Sequence, residues 1–487
     1  MSCIEIHKRN EAFVMLECDD QGILMEIADH YTFYAPGYKF VPSFRNKIWD
    51  GKIRIFNRVN GILPYGLVND LIRFSETQGY KLKVNENIFP PEPDTPHLET
   101  QLPFQPRDYQ IHAWHHGVVK RRAILVSPTG SGKSLIIYLL MRYFLATEED
   151  KFLIVVPTTS LVEQMYKDFE EYSKVNGFPV PENVHRIYSG KDKIMFEQRV
   201  VITTWQSAIL CPPDWFRQFG GVIGDEAHTF KAKSLNKIMG MLENASYRIG
   251  TTGTLDGTKV HELVLTGHFG DPYHVTSTKE LIENDTLAQL KVSCLVLKYS
   301  DEVRKAFGKK KYQEEIDFLV SNEARNRFIC NLTLDQTGNS LVLYNLVAKH
   351  GKPLFEQLQA RAGDRKVFFV SGAVSVDQRE RIREITEQET NAIIVASMGT
   401  FSTGINIRNL NNIVFAAPTK SQIRVLQSIG RGLRKGNQGK PTKVYDISDN
   451  LSWKSRKNYT MNHAVERVKI YEKQNFDFSI FEVEVNQ

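Results

Sequence analysis

The apolar run Ala123-Ile124-Leu125-Val126 opens directly into Ser127-Pro128-Thr129-Gly130-Ser131-Gly132-Lys133-Ser134. A buried strand, a glycine-rich turn and a helix expected over 133–146 are the parts of a nucleotide-phosphate cradle. Gly130 and Gly132 let the backbone curl until successive N–H groups face inward, with Thr129 and Ser131 between and beside them. The helix N-terminus adds the positive end of its dipole. Lys133 is positioned to reach the β- and γ-phosphates of ATP, and the Ser134 hydroxyl to ligate Mg²⁺. The general pattern asks for glycine at 127, where this chain has serine. A cradle of this kind is carried by an α/β fold on a parallel sheet.

At 487 residues the chain exceeds what one core comfortably serves, so several domains are expected. Apolar runs at 123–127, 152–157, 200–205, 221–225 and 248–252 alternate with helical patterns, and the alternation resumes at 340–344, 367–371, 392–397, 413–417 and 444–447. Continuous apolar strands alternating with helices predict parallel sheets buried on both faces. Two such blocks follow a turn-rich first block that ends in the proline-rich stretch 89–96. The predicted division is 1–95, 100–282 and 283–487, the last closing in a helical tail.

A net charge of +6 admits a polyanionic partner without requiring one. The five cysteines, Cys3, Cys18, Cys211, Cys294 and Cys330, are scattered, which fits reduced thiols in the cytoplasm better than a disulfide frame or a zinc site. His112, His115 and His116 read as a helix surface. No apolar run nears the ~20 residues that span a bilayer, and the start of the chain is no secretory signal.

Asp225-Glu226-Ala227-His228 follows the run 221–224. A carboxylate at the C-terminal edge of a parallel strand faces the ligand crevice, which suits Asp225 to Mg²⁺ and Glu226 to orienting and deprotonating a water. In the last block, Gln427-Ser428-Ile429-Gly430-Arg431-Gly432-Leu433-Arg434 lies on a predicted helix. Arg431 and Arg434 share one face, where two guanidiniums stabilise charge on a transferring phosphoryl group.

The order of Arg107-x-Tyr109-Gln110, the P-loop, Pro157-Thr158-Thr159-Ser160-Leu161, Thr203-Thr204-Trp205-Gln206-Ser207, D-E-A-H, Thr252-Gly253-Thr254, Thr403-Gly404-Ile405-Asn406 and Q-x-x-G-R-x-x-R resembles superfamily 2 helicases over about 100–450. The resemblance implies that Gln110, with Arg107, recognises adenine, and that Gly404 lies on the nucleotide side. It implies that Pro157, Thr158, Thr159, Thr203, Thr204, Trp205, Gln206, Ser397 and Thr403 contact the nucleic-acid backbone. It implies that His228, Thr252 and Thr254 couple ATP to the strand, and that Gln427 joins Lys133, Asp225, Glu226, Arg431 and Arg434 in catalysis. Many relatives have Asp where this chain has Asn406, and S-A-T where it has T-G-T.

In the first block, Lys39, Arg45, Lys47, Lys52, Arg54 and Arg58 interleave with Tyr38, Phe40, Phe44, Trp49 and Phe56. Asp50-Gly51 predicts a two-residue hairpin turn between strand-like arms. Cations neutralise phosphates and aromatic faces stack on unpaired bases, although a small domain also needs half or more of these aromatics for its core. The stretches 37–55 and 63–67, with Tyr312-Gln313-Glu314-Glu315-Ile316, resemble the UvsW-type recombination helicases of tailed phages. That resemblance implies branched DNA as substrate: fork regression, Holliday-junction branch migration, and dissociation of D-loops and R-loops. It also implies ATP and Mg²⁺ as cofactors, recombination or single-strand-binding proteins as partners, no membrane, and the host cytoplasm as the place of action. The expected fold is α/β, two tandem RecA-like domains behind a small α+β DNA-recognition domain. An RNA helicase, and a double-stranded DNA translocase or annealing protein without unwinding, stay open as alternatives.

Overall fold

The computed structural model describes every residue except 1–2, 90, 92, 94–95, 98–99, 189–196, 231–232, 256–257, 308–309, 405–406, 408, 418–420, 422–424, 427, 431–440 and 486–487. The chain divides into two compact units, Met1–Ser127 with Gly132–Val275, and Thr276–Gln487 with the turn residues Pro128–Ser131.

The first unit opens with strands β1 (Cys3–Lys8), β2 (Phe13–Glu17), β3 (Thr32–Tyr34), β4 (Lys52–Arg54), β5 (Ile62–Pro64) and β6 (Lys81–Val84). Four of them form a mixed sheet in the order β5-β2-β1-β6. Ile4 and Ile6 of β1, with Val14 and Leu16 of β2, are buried while their neighbours are not, the period-two signature of a sheet covered on one face. Helices Gln21–His30 and Val68–Gln78 supply Leu24, Ile27, Val68 and Leu71 to the same core.

The antiparallel partner of β4 is β3, and the chain between them carries two short helices, Tyr38–Phe40 and Pro42–Arg45. This corrects the expected two-residue hairpin at Asp50-Gly51. Gly51 has φ +79°, and an added Cβ would lie 2.5 Å from the Tyr38 ring and 3.1 Å from that of Phe44. The glycine here makes room for aromatic packing.

The rest of this unit is an all-parallel sheet of β7 (Arg122–Val126), β8 (Lys151–Val156), β9 (Val184–Ile187), β10 (Val200–Thr204), β11 (Phe219–Asp225), β12 (Tyr247–Thr252) and β13 (Pro272–His274). Their order is β13-β7-β12-β11-β8-β10-β9. Ala123 and Leu125 of β7 join one core and Ile124 and Val126 the other, as do Ile154 and Val156 against Leu153 and Val155 in β8. That two-sided burial explains the unbroken apolar runs. The N-terminal sheet is fastened to this one. Arg122 donates to the Glu11 carboxylate at 2.6 Å and to its carbonyl at 2.7 Å, with its guanidinium 4.0 Å over the Tyr65 ring. Arg73 and Asn69 hold Asp271 at 3.2 and 3.0 Å. Gly66 approaches so closely that an added Cβ would sit 1.9 Å from the Thr266 carbonyl oxygen.

The second unit is a second all-parallel sheet: β14 (Leu290–Lys298), β15 (Asn339–Tyr344), β16 (Val367–Val370), β17 (Ile393–Ser397), β18 (Leu410–Phe415), β19 (Thr442–Asn450) and β20 (Asp477–Glu484). Their order is β16-β17-β15-β18-β19-β14-β20. The expected tail helix is present, and the chain continues past it into β20, an edge strand on β14. The helix Tyr459–Lys473 precedes it and is clamped to β19 by Arg467 and Asp446, each 1% exposed and 2.6 Å apart. Among the described residues no helix is long and apolar enough to cross a membrane.

Candidate functional site

The turn after β7 carries Gly130 and Gly132 at φ +87° and +81°, and Gly132 caps the helix Lys133–Thr147. At Gly132 both the backbone angle and the space demand glycine, since an added Cβ would lie 2.4 Å from Gln110 Nε2. Gln110 is 3% exposed, and its Oε1 accepts the Arg107 backbone N–H at 2.9 Å while its own backbone N–H donates to the Arg107 carbonyl at 2.9 Å, which fixes the amide beside the turn. Arg107 itself points toward the Tyr109 hydroxyl at 3.2 Å. Lys133 Nζ donates to the Ser127 carbonyl at 3.2 Å, and Ser134 Oγ lies 2.8 Å from the Tyr172 hydroxyl. Ser131 is buried and Thr129 half-buried in the same turn.

Asp225 ends β11, 7% exposed, and its Oδ1 accepts the Thr251 hydroxyl at 2.7 Å. Burial, and next the Glu226 carboxylate, raise its pKa above the ordinary value, while Lys133 pulls in the opposite direction. A buried carboxylate in that condition gains from a further cation. Glu226 has φ +51°, an uncommon angle for a side chain that turns the chain sharply at the strand end. His228 Nδ1 lies 3.3 Å from the Glu226 carboxylate and 3.2 Å from Thr252 Oγ1. Thr252 Oγ1 in turn donates to the Thr254 carbonyl at 2.9 Å, and the Thr252 carbonyl accepts the Ser127 N–H at 2.8 Å. His261 Nε2 is 3.1 Å from the His228 carbonyl. The structure thus brings Lys133, Asp225, Glu226, His228, Thr252 and Thr254 into one linked cluster. It adds Thr251, Tyr172 and His261, for which the sequence carries no motif. Thr251 sits opposite Asp225 only through the β11–β12 register.

The candidate strand contacts divide. Thr158 caps the helix Thr159–Tyr172, accepting the Leu161 N–H at 3.4 Å, and Gln206 Nε2 reaches the Pro157 carbonyl at 3.4 Å. Pro157, Thr158, Thr159 and Gln206 therefore stand together beyond the adjacent strands β8 and β10. Thr203 and Thr204 do not join them. The Thr203 hydroxyl is buried and donates to Ile187 O at 3.0 Å, and Thr204, 4% exposed, caps the helix Trp205–Ala208. Their hydroxyls serve the fold, and Trp205 packs half-buried on the core. In the second unit Ser397 Oγ donates to Thr400 Oγ1 at 2.7 Å at the start of the helix Met398–Gly404, which contains Thr403 and Gly404. Gln427, Arg431, Arg434 and Asn406 lie outside the described residues.

In the N-terminal ribbon, Tyr34 stacks on Tyr38 at 4.6 Å and Tyr38 meets Phe44 edge-on at 4.7 Å, while Phe56 is buried. Phe40 remains 76% exposed. Trp49 Nε1 donates to the Lys52 carbonyl at 3.0 Å, and Arg54 pairs with Asp50. Lys39 and Lys52 lie over Tyr38 and Tyr34, and Arg45 Nε donates to the Lys39 carbonyl at 3.3 Å. Lys47 has φ +56°. The basic and aromatic side chains do share one small lobe.

Two RecA-like parallel sheets in tandem, the first with its P-loop and D-E-A-H strand end, define an ATP-dependent DNA helicase of superfamily 2. The family described as type III restriction enzyme, res subunit, matches residues 103–257, and the helicase conserved C-terminal domain matches 323–436. The family described as DNA helicase UvsW, N-terminal, matches 3–85. Across 499 aligned residues the chain is 34% identical to the ATP-dependent DNA helicase uvsW of Enterobacteria phage T4, covering 98% of each. The chain belongs to the UvsW family. The crystal structure of T4 UvsW matches at 32% identity over 99% of this chain and 100% of that one, with a TM-score of 0.52. The DNA 3′-5′ translocase XPB2 of Sulfurisphaera tokodaii is 24% identical over 82% of this chain and 91% of its own length.

Proposed function

We propose that the chain acts on branched DNA, regressing forks, migrating Holliday junctions and dissociating D-loops and R-loops at the expense of ATP. The observation that carries this reading is the N-terminal lobe, a UvsW module built rigidly onto the first RecA-like sheet through Arg122–Glu11 and Arg73–Asp271. A module fastened to the ATP-binding sheet moves with it, so each nucleotide cycle displaces a branch held by the lobe. Its exposed Phe40 and the cations Lys39, Arg45, Lys47, Lys52 and Arg54, with Trp49, are the side chains we assign to that contact. The functional blocks are 1–95 for recognition, 100–282 for ATP binding and 283–487 for completing the catalytic site.

Within the ATP site, Gln110 and Arg107 read adenine and Lys133 neutralises the β/γ-phosphates. Glu226 takes the proton of the attacking water, with His228 orienting its carboxylate. Arg431, Arg434 and Gln427 stabilise the transferring phosphoryl group. The donor set fits Mg²⁺, a hard cation that keeps several waters and takes one or two protein oxygens beside the phosphates. Ser134 Oγ and the Asp225 carboxylate would hold it, where it would supply charge neutralisation. We assign Pro157, Thr158, Thr159 and Gln206 in the first unit, and Ser397 and Thr403 in the second, to contacts with the nucleic-acid backbone. The five cysteines are free thiols, in keeping with a reducing cytoplasm.

Unwinding measured with and without ATP on forks, four-way junctions, R-loops and linear duplexes of equal length tests the reading. ATP-dependent processing of branched substrates well above that of linear duplex supports it, and equal rates on all four remove the branch specificity.

A further inference from the structure

Ser134 Oγ, assigned above to Mg²⁺, has a partner that belongs to none of the helicase motifs. The Tyr172 hydroxyl lies 2.8 Å away, 38 residues further along the chain. Among the described residues the Ser134 hydroxyl hydrogen-bonds no other group. Ser134 lies in the first turn of the helix Lys133–Thr147, and Tyr172 is the last residue of the helix Thr159–Tyr172. The two helices pack on one another, and that packing creates the pair. Both residues are half-buried, so the serine oxygen can still be reached by a ligand.

A serine hydroxyl has one hydrogen and two lone pairs. A lone pair that meets a cation leaves the hydrogen to point away from it, at some other acceptor. Without an acceptor the hydroxyl rotates, and for part of the time its hydrogen stands where the cation belongs. Tyr172 Oη is such an acceptor, at an ordinary O–H···O length. Partners of this kind, one step behind the metal, fix the orientation of the ligand in front of them.

Tyr172 is itself held independently of Ser134. Its ring meets those of Tyr138 at 5.5 Å and Phe104 at 5.8 Å, both edge-on. Its carbonyl accepts Asn176 Nδ2 at 3.1 Å, and the same amide donates to the Gln101 carbonyl at 2.8 Å and the Tyr138 hydroxyl at 3.2 Å. Asn176 Oδ1 in turn accepts Arg142 Nη1 at 2.9 Å. The tyrosine oxygen is therefore in place before any nucleotide arrives, as a group that aims a ligand has to be. Phenylalanine would keep the ring between Tyr138 and Phe104 and lack only that oxygen.

We propose that Tyr172 is a positioning residue for the metal: its oxygen accepts the Ser134 hydrogen and so presents a Ser134 lone pair to Mg²⁺. The proposal rests on the reading of Ser134 as a Mg²⁺ ligand, and the test separates the two.

Full-length protein binds a fluorescent ADP across a Mg²⁺ series, and the Mg²⁺ concentration giving half the effect is read beside the metal-free affinity. Tyr172→Phe should raise that concentration by about tenfold, the lower end of what losing such a partner costs, with the metal-free affinity held. Ser134→Ala should raise it at least as far. The double variant should go no further than Ser134→Ala, because Tyr172 acts only through that hydroxyl. Tyr138→Phe takes a hydroxyl from the same ring cluster without touching Ser134, and should keep the parental concentration. A Tyr172→Phe variant with an unchanged or lowered concentration overturns the proposal. So does an effect that adds to that of Ser134→Ala, or an equal rise in Tyr138→Phe, which would assign the change to ring packing. If Ser134→Ala itself leaves the Mg²⁺ dependence unaltered, the ligand reading fails and the proposal with it. If Ser134→Ala responds and Tyr172→Phe is silent, the positioning role alone fails.

Discussion

His228 Nδ1 lies 3.2 Å from Thr252 Oγ1 while standing 3.3 Å from the carboxylate of Glu226. One imidazole therefore touches both the residue assigned to the attacking water and the strand end assigned to relaying ATP state to DNA. His228→Ala should keep ATP affinity and lose most of the stimulation of turnover by DNA, by roughly 5- to 150-fold, the usual range of a coupling between two sites. Turnover with and without DNA checks it, and unimpaired stimulation would give His228 a purely structural role.

Lys133→Ala should abolish ATP turnover, because the β/γ-phosphate charge is left uncompensated. Glu226→Gln should bind ATP normally and lose about 10²–10⁴-fold in turnover, since an amide cannot accept the water's proton. Nucleotide affinity is read separately from rate. Equal losses in both for Glu226→Gln would make that carboxylate a metal ligand instead.

Arg431→Ala and Arg434→Ala should each lower kcat by about 10³-fold or more with little change in ATP affinity, as contacts made mainly in the transition state require. A variant with parental kcat removes that arginine from the catalytic set.

The Glu11–Arg122 pair sits between two sheets with both side chains largely buried, 17% and 13% exposed. Burial raises the Glu11 pKa, but Arg122 and then Lys8 outweigh it and leave the carboxyl below its ordinary 4.5. A depressed folded-state pKa gives stability that is complete at neutral pH and is lost as pH falls from about 4.5 through the lowered value. Glu11→Gln should flatten that acid limb in thermal unfolding. Arg122→Ala should cost about 3–5 kcal/mol at neutral pH by stranding the carboxylate.

The strands buried on both faces were legible because each is an unbroken apolar run, as in Ile154-Val155-Val156. β14 and β20 were not. Lys291 and Ser293 interrupt the first, and the second, an edge strand, leaves Glu482 and Glu484 in solvent. The ATP cluster was legible motif by motif, since phosphate dictates glycines, a lysine and carboxylates at short spacings. Contacts that depend on register or on helix placement were not, such as Gln110 over Gly132 and Thr251 on Asp225. Thr203 and Thr204 fall in the run 200–205 and in a motif that implies strand contact, yet their hydroxyls hydrogen-bond inward at a strand end. Asp50-Gly51 has the residues of a tight turn, but the rings of Tyr38 and Phe44 decide its conformation.

The most direct test of the central claim places a four-way junction and a linear duplex of equal arm length in one reaction with the full-length protein, and follows each with and without ATP. The account predicts ATP-dependent conversion of the junction at a rate at least about tenfold above strand separation of the duplex, abolished by Lys133→Ala. Equal ATP-dependent rates on the two substrates, or junction conversion that survives without ATP, would contradict it.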